Sequence, residues 1–322
     1  MSIKITMKRI FYLLAFLSVF SLGACKDDDE PQKVEYKPYS STEDNKPNTT
    51  DPQNNTNTET TLNVFLCFGQ SNMEGNAAVE DVDRNNVPSG MKNMIVANCD
   101  VTNYSAARYS WRKANPPLAR FNTGLTPADY FGRTMLENLP SGQEIGIVMV
   151  AIGGADIEAF EKDRCEAYCG RTDFDGWYKN YLAEYDNNPY LTLVTAAKEA
   201  QKSGVIRGIL LHQGETNNCQ QDWPKRVKKI YEDLLTDLNL TAEDCPLLAG
   251  EMLHKENNGI CYGHNEVIAT LPNVIPTAHV ISSEGCEGNG VDGFHFCAEG
   301  YRIIGKRYAQ TMLKLMGVDI TE

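Results

Sequence analysis

The chain has 322 residues, 42% apolar and 23% charged, with a formal net charge of -13 at pH 7. This is a globular composition with no collagen, coiled-coil or wholesale disorder bias. The acidity excludes a nucleic-acid partner and an electrostatically held membrane surface, and leaves neutral or positively charged partners open.

Residues 1–25 begin with Lys4, Lys8 and Arg9 and continue through an apolar run over 10–22 that is too short for a comfortable membrane span. The run ends in Leu22-Gly23-Ala24-Cys25, which resembles a lipobox. The expectation is a bacterial lipoprotein signal with Cys25 lipidated, hence a lipid anchor in a bacterial membrane. That means an exported protein held at the outer membrane or cell surface, or otherwise periplasmic. The alternative is an ordinary cleaved signal with an incidental cysteine. Residues 26–60 are rich in Asp, Glu, Lys, Asn, Thr and Pro and read as a flexible acidic tether, because they have little apolar surface to offset ordering. The folded domain is then 61–322.

Of ten cysteines one is assigned to the lipid, so an odd number remains. Cys67, inside an apolar run, reads as the buried odd thiol. Cys165 with Cys169, and Cys286 with Cys297, read as disulfides or neighbours bracing loops in an oxidising compartment.

From residue 62 onward, short Val, Ile and Leu-rich runs at 62–68, 145–152, 205–212, 246–253 and 274–281 alternate with helical segments at 127–138, 191–202, 223–238, 265–270 and 299–316. The runs are continuous rather than alternating, as strands buried on both faces are. The pattern predicts an α/β fold, a three-layer α/β/α sandwich on a central parallel sheet. About 260 residues suffice for one core. The segments 82–120 and 165–188 read as irregular inserts on the rim of a site at the carboxyl ends of the strands.

The first predicted strand runs into Gly69-Gln70-Ser71-Asn72-Met73-Glu74-Gly75. A serine at such a sharp exit can project its hydroxyl while helix-start amides face the same cavity. By itself it reads as readily as a helix cap. Near the other end lies Val291-Asp292-Gly293-Phe294-His295. Asp292, three positions before His295, can hold the far ring nitrogen and fix the tautomer a general base requires. Alone, this too could be a loop histidine beside an acid. Gly153-Gly154 and Gln213-Gly214-Glu215 follow the next two strands and can supply hydrogen-bond donors to a developing oxyanion.

In order, these four blocks resemble those of SGNH hydrolases, in the carbohydrate esterase branch of sialic-acid-specific acetylesterases and acetyl xylan esterases. The resemblance spans about 62–316. It implies a flavodoxin-like α/β/α fold, Ser71 as nucleophile, His295 as base and Asp292 as orienting acid. It also implies an oxyanion hole from the Ser71 and Gly154 amides, with Gln213 taking the place of the superfamily's usual asparagine. The implied substrate is an acetylated carbohydrate, a polysaccharide, oligosaccharide or sialic acid, cleaved without metal or organic cofactor. After the two glycines this chain has Ala155-Asp156 where the branch commonly has Thr or Ser, which detaches substrate preference from the resemblance.

Gln70, Asn72, His212, Glu215, Trp111 and Trp177 are candidates to line the substrate cavity. His212 could instead be packed, Glu215 could accept loop hydrogen bonds or pair with an Arg, and the tryptophans could be lids over small cores. A competing constellation is His254, Cys261 and His264, which a zinc site could use but which lacks a fourth ligand at a telling spacing. Two other functions stay open: a surface lipoprotein that binds glycans without catalysis, and a broader lipase-like or thioester hydrolase.

Overall fold

The computed structural model describes residues 61–320. The expectations for the signal, Cys25 and the tether lie outside them. Seven strands form one sheet: β1 (Thr61–Gly69), β2 (Met91–Met94), β3 (Trp111–Lys113), β4 (Gln143–Ala151), β5 (Val205–His212), β6 (Leu247–Gly250) and β7 (Ala278–Ile281). Their order is β3-β2-β4-β1-β5-β6-β7. Every pairing is parallel except that of β2 with β3 at one edge.

The helices relevant to the site are α1 (Ser71–Glu74), α2 (Pro127–Asn138), α3 (Pro189–Gln201), α4 (Trp223–Leu238) and α5 (Ala298–Leu315). The central strand explains the layers. Leu62, Val64, Leu66 and Phe68 of β1 join a core with Leu193 and Ala197 of α3 and Val227, Ile230 and Leu234 of α4. The alternate residues Phe65 and Cys67 join a second core with Phe131 of α2 and Tyr301, Ile304 and Tyr308 of α5. Both faces of β1 are covered, so its sequence reads as an unbroken apolar run. Local chemistry sets the helix starts: Thr126 caps α2 with Pro127 at its first position, and Asn188 caps α3 through Leu191 N–H at 2.9 Å.

The parallel three-layer sandwich is present, with additions that the pattern did not show. The 82–120 segment, read as irregular, contains β2 and β3. Their sequences, Met-Lys-Asn-Met and Trp-Arg-Lys, are too short and polar to show a strand period, and pairing to β4 supports them. The 165–188 segment contains helices Cys165–Cys169 and Gly176–Glu184. The last strand begins later than predicted, because Leu271–Val274 turns as a helix.

Of the two readings for these cysteines the disulfides are not formed: Cys165, Cys169, Cys286 and Cys297 are free thiols, with Cys165 and Cys169 as neighbours on one helix. Cys165 and Cys169 lie four apart on one helix, where Cβ atoms are about 5–6 Å apart against the roughly 3.8 Å a disulfide takes. Cys297 instead caps α5 through Gly300 N–H, and Cys286 accepts from Arg307. Cys67 is fully buried in β1, as expected. Among the described residues no helix is long and apolar enough to cross a membrane.

Candidate active site

Three adjacent strands, β4, β1 and β5, end at the site, so the loops leaving them meet without any long excursion. β1 leaves the sheet at Gly69, whose φ is +152°, and a side chain there would strike the His212 carbonyl oxygen. Gln70 N–H donates to that same carbonyl at 3.0 Å, stitching the turn to β5. The Gln70 carbonyl then accepts from Met73 and Glu74 N–H, which starts α1 with Ser71 as its first residue. The Ser71 N–H thus belongs to the first-turn amides that no intrahelical acceptor can serve.

The histidine comes from the loop between β7 and α5. Asp292 shapes this loop: its Oδ1 accepts Phe294 N–H at 2.8 Å and His295 N–H at 3.1 Å. Its Oδ2 lies 2.7 Å from His295 Nδ1 and also accepts from Asn289 Nδ2 at 3.1 Å. Burial works to raise the Asp292 carboxyl, but hydrogen bonds from His295 and Phe294 N–H outweigh it and hold the group below the usual carboxylate range. An ionised carboxylate only accepts, so Nδ1 carries the ring proton and Nε2 is left with its lone pair. Nε2 is 2.7 Å from Ser71 Oγ. The structure therefore brings Ser71, His295 and Asp292 into one hydrogen-bonded line across 224 residues of sequence.

Beside them, Gly153 and Gly154 turn at the end of β4. A side chain built on Gly153 would lie 3.8 Å from the Ser71 Cβ, which places the turn against the serine. Gly154 has φ +76° and open space where a side chain would stand, as a backbone that must approach a ligand requires.

Gln213 does not fill the donor role given to it by sequence. Trp223 Nε1, which can only donate, binds Gln213 Oε1 and so fixes which way the amide faces. Gln213 Nε2 is then surrounded by Gln70 Oε1, the Ala155 carbonyl and Asn217 Oδ1. Two hydrogens facing three acceptors leave none for an oxyanion.

Most of the proposed cavity-lining residues are buried supports instead. Gln70 Oε1 accepts from Gln213 and from Gly214 and Thr216 N–H. Asn72 is fully buried and bonded to Glu215, the Phe294 carbonyl and Tyr301. Glu215 takes the Asn72 amide on one oxygen, with its own and the Gly214 backbone N–H facing the carboxylate, while burial pushes the carboxyl up. His212 is packed, with its ring edge-on to Phe296 at 5.7 Å, and burial pushes its pKa down to about 3. Trp111 lies over Gly146 near the opposite end of β4 and donates to Ser203 Oγ at 2.9 Å. Trp177 alone of this group keeps a large exposed face, 41%, with Tyr178 and Tyr181 edge-on to it at 5.5 Å.

His254, Cys261 and His264 serve separate local contacts. His254 bridges Glu251 and Glu256, Cys261 donates to the Glu215 carbonyl, and His264 Nδ1 accepts Cys219 N–H. Sequence reasoning missed Tyr301, Trp223, Arg120 and the use of Glu74. Only Glu74 left a signal, as a charged residue inside an otherwise buried nucleophile turn.

Solved structures share this fold. NanS aligns over 80% of this chain and 98% of its own, at 16% identity and a TM-score of 0.58. A protein from Arabidopsis thaliana aligns over 78% of this chain and 97% of its own, at 20% identity and a TM-score of 0.56. A carbohydrate acetylesterase from Xanthomonas citri aligns over 80% of this chain and 57% of its own, at 17% identity and a TM-score of 0.51. At such identities these likenesses are of fold. The profile of a family described as carbohydrate esterase, sialic acid-specific acetylesterase, matches residues 61–314. The chain therefore belongs to the sialic acid-specific acetylesterase family of carbohydrate esterases and is a carboxylic ester hydrolase.

Proposed function

We propose that the enzyme removes O-acetyl groups from a carbohydrate through an acyl-enzyme on Ser71. The observation that carries this is the 2.7 Å contact between His295 Nε2 and Ser71 Oγ, with Asp292 holding the other ring nitrogen at 2.7 Å. His295 takes the hydroxyl proton as Ser71 Oγ attacks the acetyl carbonyl carbon. Asp292 stabilises the imidazolium that results. The Ser71 and Gly154 amides receive the charge on the carbonyl oxygen. His295 then protonates the departing sugar oxygen, and the C–O bond to the sugar breaks. Water, deprotonated by His295, attacks the acyl carbon, releases acetate and returns the proton to Ser71. The exposed face of Trp177 offers a flat platform of the kind a sugar ring stacks on. We also propose that Cys25 carries the lipid anchor that holds the enzyme at a bacterial membrane.

The test is turnover of an aryl acetate and acetate release from a panel of acetylated glycans by the purified protein, with Ser71→Ala as comparison. The expected result is loss of nearly all turnover in a variant that melts as the wild type does. Equal turnover would overturn the mechanism. A rate falling steeply from acetate to butyrate esters supports the acetyl reading, whereas a flat or rising series favours a broader hydrolase.

A further inference from the structure

Glu74 closes α1 and is buried, and its carboxylate has two sets of partners. Oε1 accepts Arg120 Nε at 2.9 Å and Nη2 at 2.8 Å. The Gly153 N–H faces the same carboxylate, and the position a Gly153 side chain would take is 3.0 Å from Oε2. An acid in the nucleophile's own helical turn thus holds the glycine turn that carries the Gly154 amide.

Arg120, only 2% exposed, is fastened in turn from other directions. Its Nη1 donates to Glu184 Oε2 and to Asn122 Oδ1, each at 3.2 Å, and its plane lies 3.8 Å from the centre of the Tyr181 ring. Tyr181 and Glu184 both belong to the helix Gly176–Glu184. A carboxylate this deep needs its partner: without the guanidinium fork, Glu74 would take up a proton or turn toward water, and its grip on Gly153 would go with it.

We propose that the Arg120–Glu74 pair positions the oxyanion turn, fixing Gly153–Gly154 against Ser71 and joining the loop at 120–122 and the Gly176–Glu184 helix to that side of the site. The inference rests on the esterase reading above. It differs from a plain structural ion pair in what it moves. A structural pair changes the melting temperature, whereas a positioning pair changes kcat in protein that is still folded.

The experiment compares Arg120→Met, Arg120→Lys and the double variant Glu74→Leu/Arg120→Met with wild type. The double variant removes both members of the buried pair and leaves only the partly exposed Glu184 carboxylate without the guanidinium, so it provides a folded sample if the single variant does not fold. Kinetics on 4-nitrophenyl acetate are measured well below each melting point. Amide hydrogen exchange is followed in peptides covering 151–157. The expected result is a loss of roughly ten- to hundredfold in kcat for Arg120→Met and the double variant, with KM within about threefold. Arg120→Lys recovers part of the loss, and exchange at the Gly153 amide accelerates in both charge-removing variants. Wild-type kcat in a folded charge-removing variant, a loss confined to KM, or unchanged exchange would each overturn the proposal. Absence of esterase turnover in the wild type would instead remove the functional reading, and the exchange arm would then decide the positioning role by itself.

Discussion

Asn72 Nδ2 donates to the Phe294 carbonyl at 2.9 Å, so the residue after the nucleophile is tied to the residue before the base. The same side chain donates to Glu215 and accepts from Tyr301 Oη at 2.7 Å. Together with the Ser71–His295 hydrogen bond it sets the spacing of two chain segments far apart in sequence. Asn72→Ala is expected to lower kcat by about a hundredfold, because a small misplacement of base and nucleophile is enough to do so. It also leaves Glu215 and Tyr301 polar atoms buried without this partner, at a cost of roughly 2 kcal/mol or more. Steady-state kinetics beside denaturant titration separate the two effects. Wild-type kcat in the folded variant would show that the serine and histidine loops hold their register unaided.

Gln213 gives a contrast between a donor to the reaction and a donor to the fold. Its amide is taken up by Trp223, Gln70, Ala155 and Asn217. Gln213→Leu leaves the buried Trp223 N–H without its acceptor, while Asn217 Oδ1 keeps Ile157 N–H, and a loss of about 1–3 kcal/mol is expected. Thermal melts check this directly. A variant that melts like the wild type yet loses kcat would return Gln213 to the oxyanion hole.

His212 predicts part of the acid sensitivity. Burial holds it neutral, with its pKa pushed down to about 3, against roughly 6.5 in an unfolded chain. Below about pH 6.5 the unfolded state binds a proton that the native state refuses. The stabilising contribution is therefore complete above that pH and lost as pH falls, by about 1.4 kcal/mol per unit. Among the described residues its one side-chain hydrogen-bond contact is Tyr308 Oη at 3.5 Å, and Tyr308 already donates to the Leu211 carbonyl at 2.6 Å. His212→Leu should match the wild type within about 1 kcal/mol at pH 8 and exceed it by about 2 kcal/mol at pH 5. Urea unfolding at the two pH values measures the difference, and a pH-independent offset would refute the assignment.

Two tryptophans that look alike in sequence should behave differently. Trp111→Phe removes the hydrogen bond to Ser203 far from the serine, so stability should fall by about 1 kcal/mol with unchanged kinetics. Trp177→Ala removes an exposed platform. It should raise KM several-fold for an acetylated oligosaccharide while leaving an aryl acetate unaffected. Equal effects on both substrates would mean that Trp177 supports the loop rather than the sugar.

How much was legible in sequence follows the range of each interaction. The five long apolar runs and their intervening helices are written locally, since burial on both faces demands continuous apolar residues and caps such as Thr126-Pro127 lie next to the helices they start. Ser71, Gly154 and the Asp292–His295 pair sit in short motifs whose geometry is set within a few residues. β2 and β3 were not legible, because their support comes from β4 and from each other rather than from their own residues. The donor set around Ser71 was not legible for a related reason. Whether an amide such as Gln213 faces the reaction or the interior depends on which group, here Trp223, claims its oxygen. The sequence by itself determined the layers and the short motifs that carry Ser71 and the Asp292–His295 pair. Only the tertiary structure decided which polar side chains around those motifs are free to act, because hydrogen-bonding capacity is finite and is consumed by neighbours distant in sequence.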